Sequence, residues 1–365
     1  MTLIRLRRRS LFRLFSTFYP VILLVCLIWG ESLNYYHSRM FWNVAESELN
    51  EGRSLGILIV ADPQLVGFRN ENHMMGPLTR WDCDRFLSKG FSHAVSATNP
   101  DLIIFLGDLF DEGVEASDTE IDWTVDRFKA IFDSKIPTIY ISGDNDVGGE
   151  VEPVQSLLTA RFGRIFANSF PSSKDIFKSI SFTGVNLMNS EVTTIQEFSE
   201  PPELKVVLSH VPFATATYID TLRITSELNP DLILSAHDHK AGVHHISRDS
   251  TNAKSKDLTG IRQIQEFILD PKEILELQTP TCSYRMGVYD VGYGFVRIDR
   301  SVGDDSTNRY RVAFSILWIH SRFYALMLYV FIVTIGLLIL LFEMGFVLFS
   351  RRHRSLCLPK YRSTN

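Results

Sequence analysis

Five segments of this chain end in residues that can hold a cation or move a proton: Asp62 with Gln64, Asp108 with Asp111, Asp144 with Asn145 and Asp146, His210, and His237 with His239. Each closes an apolar run, in order ILIVAD (57–62), LIIFLGD (102–108), TIYISGD (138–144), KVVLSH (205–210) and LILSAHDH (232–239). A single aspartate after such a run is ordinarily a turn residue or a helix cap. Five in succession, ordered Asp, Asp, Asp, His, His-x-His, read instead as a cluster for two divalent cations. Carboxylate oxygens and neutral imidazoles suit Mn2+, Fe or Zn2+. A carboxylate shared between two ions keeps them close enough to hold one hydroxide between them, and that hydroxide is the expected nucleophile. The paired charges would also neutralise charge developing on phosphoryl oxygens.

The elements that must position these residues follow from the same runs. Their apolarity is continuous rather than alternating, which marks strands covered on both faces. Helical patterns at Asp84 to Thr98, Ile121 to Phe132 and Val154 to Phe162 alternate with the first strands, giving an α/β domain with its ligands at the carboxyl ends of strands. Further strands are predicted at Ile180 to Leu187, Gln263 to Leu269, Gly294 to Asp299 and Arg311 to Trp318. No helical pattern separates the last of these, so a more antiparallel second half is expected. The polar stretches 247–260 and 300–309 read as surface loops.

The 365 residues, 45% hydrophobic and 22% charged, can bury a sizeable core. The apolar content is uneven. Phe323 to Phe342 is a run of twenty residues without a charge, long enough for a transmembrane helix. Phe15 to Trp29 is a shorter apolar segment after Arg5, Arg7, Arg8, Arg9 and Arg13, and the IWGESLNYY that follows lacks small residues for signal cleavage. It is therefore read as an uncleaved anchor. Arg351, Arg352, Arg354, Lys360 and Arg362 follow the second span, so both basic clusters lie outside the spans and both termini are expected to be cytosolic. The organisation expected is a tail and anchor over 1–34, a lumenal domain over 35–320, a transmembrane helix over 321–349 and a basic tail over 350–365. The two tails carry ten of the 37 basic residues and no acids, which leaves 27 basic against 42 acidic residues elsewhere, a net of −15. That balance disfavours nucleic acid as a partner and suits metal cations. Of the four cysteines, Cys83 and Cys282 alone fall in the lumenal region, so one disulfide at most is expected there. Cys357, close to the second span, is a palmitoylation candidate by location only.

The chain's D-P-Q, G-D, G-D-N-D, H and A-H-D-H follow the order of the motifs D-x-H, G-D, G-N-H-D/E, H and G-H-x-H. In these it resembles the calcineurin-like metallophosphoesterase superfamily, which implies a four-layer α/β/β/α sandwich, here flanked by two transmembrane helices. GDLFDEG, PTCSYRMG and the two flanking spans look like the metallophosphoesterase 1 branch. The resemblance spans about 55–300. It implies a manganese-dependent phosphodiesterase that removes ethanolamine phosphate from a mannose of the glycosylphosphatidylinositol (GPI) anchor in the endoplasmic reticulum or Golgi, and so supports transport of GPI-anchored proteins. By position, Asp62, Asp108 and His239 would hold the first metal. Asp108 would bridge to a second ion held by Asp144, His210 and His237, and Gln64 takes the place of one further ligand. Zn2+ or Fe suits the same donors.

Two departures from the motifs bear on turnover. Gln64 replaces a histidine with a neutral amide, and Asn145 replaces the histidine that assists the phosphoryl or leaving group, so Asn145 has no proton to give. A metal-binding pseudoenzyme that recognises GPI-anchored cargo is thus a second expectation, and a phosphomonoesterase a third. Asp144 in place of the ligand asparagine adds negative charge. His245, in the pair His244 and His245, is the candidate replacement acid, Arg285 of CSYRMG the candidate contact to substrate phosphate, and Asp111 a support for the site. GRSLG (52–56) has the G-x-S-x-G pattern but precedes a strand, so it is not a nucleophile elbow.

Overall fold

The computed structural model describes residues 17–47, 51–170, 175–196, 201–216, 218, 220–248, 253–302 and 308–356. The terminal basic residues Arg5 to Arg13, Lys360 and Arg362, together with Cys357, lie outside them. The helices are α1 (Thr17–Arg39), α2 (Gly76–Thr98), α3 (Asp118–Ile131), α4 (Asp144–Val147), α5 (Ser156–Ile165), α6 (Thr221–Leu228) and α7 (Arg322–Leu356). The strands are β1 (Ser54–Val60), β2 (Leu102–Leu106), β3 (Thr138–Ile141), β4 (Ile180–Asn186), β5 (Glu191–Thr194), β6 (Leu204–Ser209) and β7 (Leu232–Ser235). They continue as β8 (Gly242–Ser247), β9 (Ala253–Asp257), β10 (Gln265–Ile268), β11 (Glu273–Gln278), β12 (Val291–Val302) and β13 (Asn308–Ile319).

Two sheets result, one ordered β10-β13-β12-β1-β2-β3 and the other β5-β4-β6-β7-β11-β8-β9. A single apolar cluster joins their inner faces: Ile57, Ile104 and Phe314 of the first meet Phe182, Leu208 and Leu234 of the second. The outer face of the first sheet lies under α2 and α3, where Phe105 of β2 packs against Phe128 of α3 at 5.1 Å between ring centres. On the outer face of the second sheet, Ile224 of α6 joins Val207, Ile233 and Ile274. These are the four layers α/β/β/α. The central strands β1, β2, β6 and β7 are buried on both faces, which is why they read as apolar runs, while the edge strands β5, β9 and β10 are largely exposed.

The second half is the more antiparallel, as expected, although β4, β6, β7 and β11 run parallel to one another. Antiparallel pairing joins β12 with β13 and β1, β10 with β13, β8 with β9 and β11, and β4 with β5. Part of the polar stretch 247–260 is strand β9, and the expected loop 300–309 is in its described part the two arms of the β12–β13 hairpin. Strand β11 (EILELQ) escaped sequence reading because Glu276 and Gln278 look like surface residues but are buried. Helix α2 starts eight residues ahead of its expected Asp84 start, with Pro77 in its first turn. Its buried Arg80 hid the apolar pattern there, since that guanidinium lies over the rings of Phe68 and Trp123.

The chain divides into two compact units, Tyr35–Ser321 and a second made of residues 1–34 with 322–365. The smaller unit contains α7, of which Arg322–Phe349 is 28 residues of span-length apolar helix, and the first part of the 23-residue α1. Both helices are long and apolar enough to cross a bilayer. Inside this unit Arg322 pairs with Glu31 at 2.7 Å, and Tyr329 donates to the same carboxylate at 2.8 Å. Cys83 and Cys282 are both free thiols. Cys83 instead donates to the Tyr284 hydroxyl at 3.3 Å, so the disulfide allowed by the sequence is not formed.

Candidate metal centre

The carboxyl ends of β1, β2 and β3 in one sheet face those of β6 and β7 in the other, and the five motifs converge there. Asp62, Gln64, Asp108, Asp144 and His210 are all buried. Among the described residues two sets of donor atoms lie within 4.8 Å of one another, Asp144 with His210 and His237, and Asp62 with Asp108 and His210. The His210 ring is central. Its Nδ1–H donates to the Leu106 carbonyl at 2.8 Å, which turns Nε2 towards Asp144 Oδ1 at 3.0 Å and Asp108 Oδ1 at 3.4 Å. His237 Nδ1 lies 3.2 Å from the same Asp144 oxygen.

Backbone strain is concentrated here. Asp62, Gln64, Asp108, His237 and His239 all have positive φ, between 39° and 67°, a region that L-residues seldom occupy. Strain of this kind persists only where surrounding structure enforces it, and it gathers at functional sites. Close approach adds a second constraint. A Cβ on Gly107 would stand 2.5 Å from His210 Nδ1, and one on Gly143 would stand 2.1 Å from Asp108 Oδ1.

The donors fit divalent cations. Both carboxylate oxygens of Asp62 and Oε1 of Gln64 are buried without a hydrogen-bond partner, a costly state for a charged group unless a cation completes it. The protonation pattern points the same way. Burial raises the Asp62 carboxyl to about 8, and burial with neighbouring Asp108 raises Asp146 to about 7. Burial would lower His210, yet Asp108, Asp144 and Asp62 raise it well above the usual histidine range. His237 is raised by its hydrogen bond to Asp144. Asp144 is the exception among the acids: burial opposes its charge, but hydrogen bonds from His210 and His237 hold it well below the usual carboxylate range. The cluster thus uses protonated imidazole as counter-charge. That explains why His210 joins Asp62 and Asp108, where the resemblance had placed His239. His239, brought down to about 4 by burial and the two other histidines, is neutral and ready to ligate, with Nε2 3.5 Å from Gln64 Nε2.

A stability prediction follows for chelator-treated protein. Raised carboxyls bind protons in the folded state that the unfolded chain has already lost, and raised histidines lose their stabilisation as pH climbs through their folded pKa. Between pH 6.5 and 8 both contributions carry one sign, so Tm should fall as pH rises. Added Mn2+ should raise Tm more at pH 8 than at pH 6.5, because binding displaces those protons. Thermal melts across this range check it, and a metal-induced rise that is equal at both pH values contradicts it.

Both departures from the motifs act on one atom. Gln64 Nε2 donates to Asp108 Oδ2 at 2.8 Å and Asn145 Nδ2 donates to the same oxygen at 2.9 Å. Each amide therefore competes with a cation for the carboxylate expected to bridge. A half-turn of the Gln64 amide exchanges Oε1 for Nε2 and would make the side chain a ligand. Beside Asp144 and Asn145 opens a cavity of about 220 Å³, further lined by Asp111, Glu112, Glu115, Glu150 and Glu152. Burial raises the Asp111 carboxyl to about 6. So acidic a cleft repels a phosphoester until cations neutralise it.

Two predicted residues lie elsewhere. His245 on β8 contacts Glu273 at 3.1 Å and the Phe267 ring. It stands level with Leu275 and hence with Leu232 at the start of β7, while the site histidines follow Ser235 at its end, three residues or about 10 Å along the strand. It is not in position to protonate a leaving group. Arg285 lies on the segment that packs against Asp62, where Thr281 Oγ1 donates to the Asp62 carbonyl at 2.8 Å, but its guanidinium pairs with Glu71.

The structure also shows positioning residues: Glu276 and Gln278, which sequence reading missed, and Asp146 and His244, which it named without this role. Asp146 accepts from the backbone N–H groups of Leu109, Phe110 and Gly143, tying the ends of β2 and β3 together. Glu276 of β11 accepts from Phe213 and Ala214 N–H just after His210. Gln278, two residues on, donates to the Ala236 carbonyl at 3.2 Å and to Asp238 at 2.9 Å, gripping the loop of His237 and His239. The His244 ring, paired with Gln278 Oε1 at 3.1 Å, backs that grip. A pair of polar residues at spacing i, i+2 in an otherwise apolar run is the signal that could have found Glu276 and Gln278.

Fold and site together define a binuclear phosphoesterase-type domain. Residues 55–241 match the model of the calcineurin-like phosphoesterase family, and the chain belongs to that family. Among individual proteins, it is 32% identical over 139 residues to the Metallophosphoesterase 1 homolog of Drosophila melanogaster, covering 38% of this chain and 36% of that one. It is 29% identical over 179 residues to Metallophosphoesterase 1 of Mus musculus, covering 47% and 43%. The corresponding protein of Danio rerio matches at 30% over 131 residues, covering 35% and 32%. The matches span less than half the length of these curated relatives. A crystal structure of Chaetomium thermophilum Vps29 also matches, at 10% identity and a TM-score of 0.26 over 74% of this chain and 100% of that one, too distant to bear on the site.

Proposed function

We propose that the chain is a membrane-anchored, two-metal phosphodiesterase whose substrate is a lipid-linked phosphodiester, a GPI glycan from which it removes ethanolamine phosphate. The observation that carries the hydrolase reading is the strained, strand-end cluster in which the Asp62 carboxylate is buried without a hydrogen bond. Asp62, Gln64, Asp108, Asp144, His210, His237 and His239 would hold the two ions, with Mn2+ the first candidate and Zn2+ or Fe also suited to these donors. Bound there, the ions would polarise the phosphoryl group and lower the pKa of a water. The chain's own residues orient the ligands: Leu106 fixes the His210 tautomer, while Glu276 and Gln278 hold both histidine loops. Asn145 can donate a hydrogen bond but no proton, so the leaving alkoxide takes its proton from water.

The GPI substrate and a role in transport of GPI-anchored proteins are supported by the likeness to the metallophosphoesterase 1 branch. So is location in the endoplasmic reticulum or Golgi. The two candidate spans and the basic residues beyond them support a lumenal domain with both termini cytosolic. Tags at either terminus should then be cut by protease added to sealed microsomes while 35–320 is protected; a protected amino-terminal tag contradicts this. The competing reading, a pseudoenzyme that binds metal and GPI-anchored cargo, is favoured by the amides of Gln64 and Asn145 that both occupy Asp108 Oδ2. The deciding experiment is an assay of purified full-length protein with added Mn2+ on phosphodiester and phosphomonoester substrates. Diester cleavage supports the proposal, monoester cleavage alone makes the chain a phosphomonoesterase, and no turnover at full metal occupancy favours the pseudoenzyme.

A further inference from the structure

Helix α2 carries a face that is exposed at Leu78 and Trp81 and half-buried at Arg85 and Lys89. Leu78, Trp81, Arg85 and Lys89 follow one another at spacings of three and four, which places them in a stripe along one side of the helix. From Leu78 to Lys89 the stripe is about 17 Å long at 1.5 Å per residue. Leu78 is 52% exposed and Trp81 55% exposed, and Met74, just ahead of the helix, is 94% exposed. The Arg85 guanidinium lies over the Trp81 ring at 5.7 Å, so apolar and cationic groups share the same surface.

The two ends of the stripe have different neighbours. At the carboxyl end of α2, Tyr35 stacks on His93, Tyr36 meets the same ring edge-on at 4.7 Å, and Arg39 donates to Ser96. His320 contacts the Ser38 hydroxyl, so the residues at which the domain continues into both candidate spans, Tyr35 and Ser321, lie near this end. Tyr36 and Met40, 59% and 79% exposed, extend the apolar surface there. The amino end of α2 adjoins the segment that starts at the metal centre: Arg80 reaches the Glu71 carbonyl, seven residues beyond Gln64.

We infer that this face of α2 is a membrane-contact surface, with Met74, Leu78 and Trp81 entering the interfacial layer and Arg85 and Lys89 pairing with lipid phosphates. The residue types argue for a bilayer in place of a protein partner. Tryptophan is enriched at membrane interfaces, and long cations beside it bury their stems while keeping their charge at the phosphate level. Continuity argues for it too, since Tyr35 and Ser321, from which the chain passes into the two candidate spans, lie near the carboxyl end of the same helix. Contact along α2 would hold the metal centre at a set height over the lipid headgroups, more restrictive than tethering by the spans alone.

The inference rests on the anchored reading above, and one experiment separates the two. Full-length protein is assembled into nanodiscs of phosphatidylcholine and phosphatidylserine with and without bromine on the acyl chains, and the emission of Trp81 is taken as wild type minus Trp81→Phe. That emission should be at least halved by brominated lipid, and the Met74→Asp, Leu78→Asp variant, altered only at exposed positions, should recover it. Trp81 left unquenched in an inserted chain overturns the contact surface alone, whereas failure to enter nanodiscs overturns the anchors and the surface together. A disulfide-linked dimer formed by Leu78→Cys, with Trp81 unquenched, would assign the face to a second copy of this chain.

Discussion

Asp108→Asn should abolish hydrolysis and take most of the bound metal with it. Asp108 lies where both departures from the motifs and the His210 ring converge. Its oxygens lie 3.4 Å from His210 Nε2 and accept from Gln64, Asn145 Nδ2 and the Asn145 backbone N–H. Losing a carboxylate common to two ions removes several kcal/mol of charge stabilisation, so kcat/KM should drop by about 10³-fold or more. Folding should not suffer. Burial raises the Asp108 carboxyl more than the His210 charge lowers it, and Asp144 adds repulsion, so on balance a neutral amide is favoured there and the chelator-treated variant should melt no lower than chelator-treated wild type. Gln64→Ala, which removes at most a neutral ligand, should retain more metal than Asp108→Asn. Elemental analysis with melts in and out of chelator measures all of this. Equal metal content in wild type and Asp108→Asn would remove Asp108 from the site.

Asn145→His should give the largest gain. Asn145 faces the acidic cavity and spends its side-chain amide on Asp108 Oδ2. An imidazole there gives up that hydrogen bond, leaves Oδ2 freer for a cation and places a proton donor beside the leaving group. General acid catalysis contributes typically 10² to 10⁴ in rate, and an acceleration of about 10²-fold on an unactivated alkyl diester is expected. The pH–rate profile should gain a limb near the unperturbed histidine value of about 6.5. An activated aryl ester, whose leaving group needs no proton, should change little. An unchanged profile, or equal acceleration of both substrates, would show that position 145 does not face the leaving group. His245→Ala should leave the alkyl diester rate unchanged, because that ring is engaged with Glu273 and Phe267 on another strand level.

What could be read from the sequence had local causes. A strand buried on both faces must be apolar throughout, so ILIV, LIIFL and LILS announce themselves, and residues just past their ends are placed by chain continuity alone. The five metal-competent motifs, the α/β class and the two apolar helices follow from that. The residues that escaped depend on partners far away in sequence. Glu276 and Gln278 make β11 look like a surface strand until Phe213, Ala214, Ala236 and Asp238 supply their hydrogen bonds. Arg80 disguises the start of α2 because its burial depends on Phe68 and Trp123. His245 is near the site along the chain and Arg285 lies on a segment that packs against it, yet strand register sets one apart from it and an ion pair with Glu71 engages the other.

By itself, then, the sequence determined which residue types could bind metal, their order, and the segments able to enter a membrane, since composition and periodicity carry that information. Only the tertiary structure decided which of those residues meet. It brought His210 between carboxylates from three strands, directed the Gln64 and Asn145 amides onto one oxygen of Asp108, and left the Asp62 carboxylate without a hydrogen bond. The physical reason is that hydrogen bonding and charge depend on distances across two facing sheets, and those distances are fixed by strand register and packing, which no local stretch of chain contains.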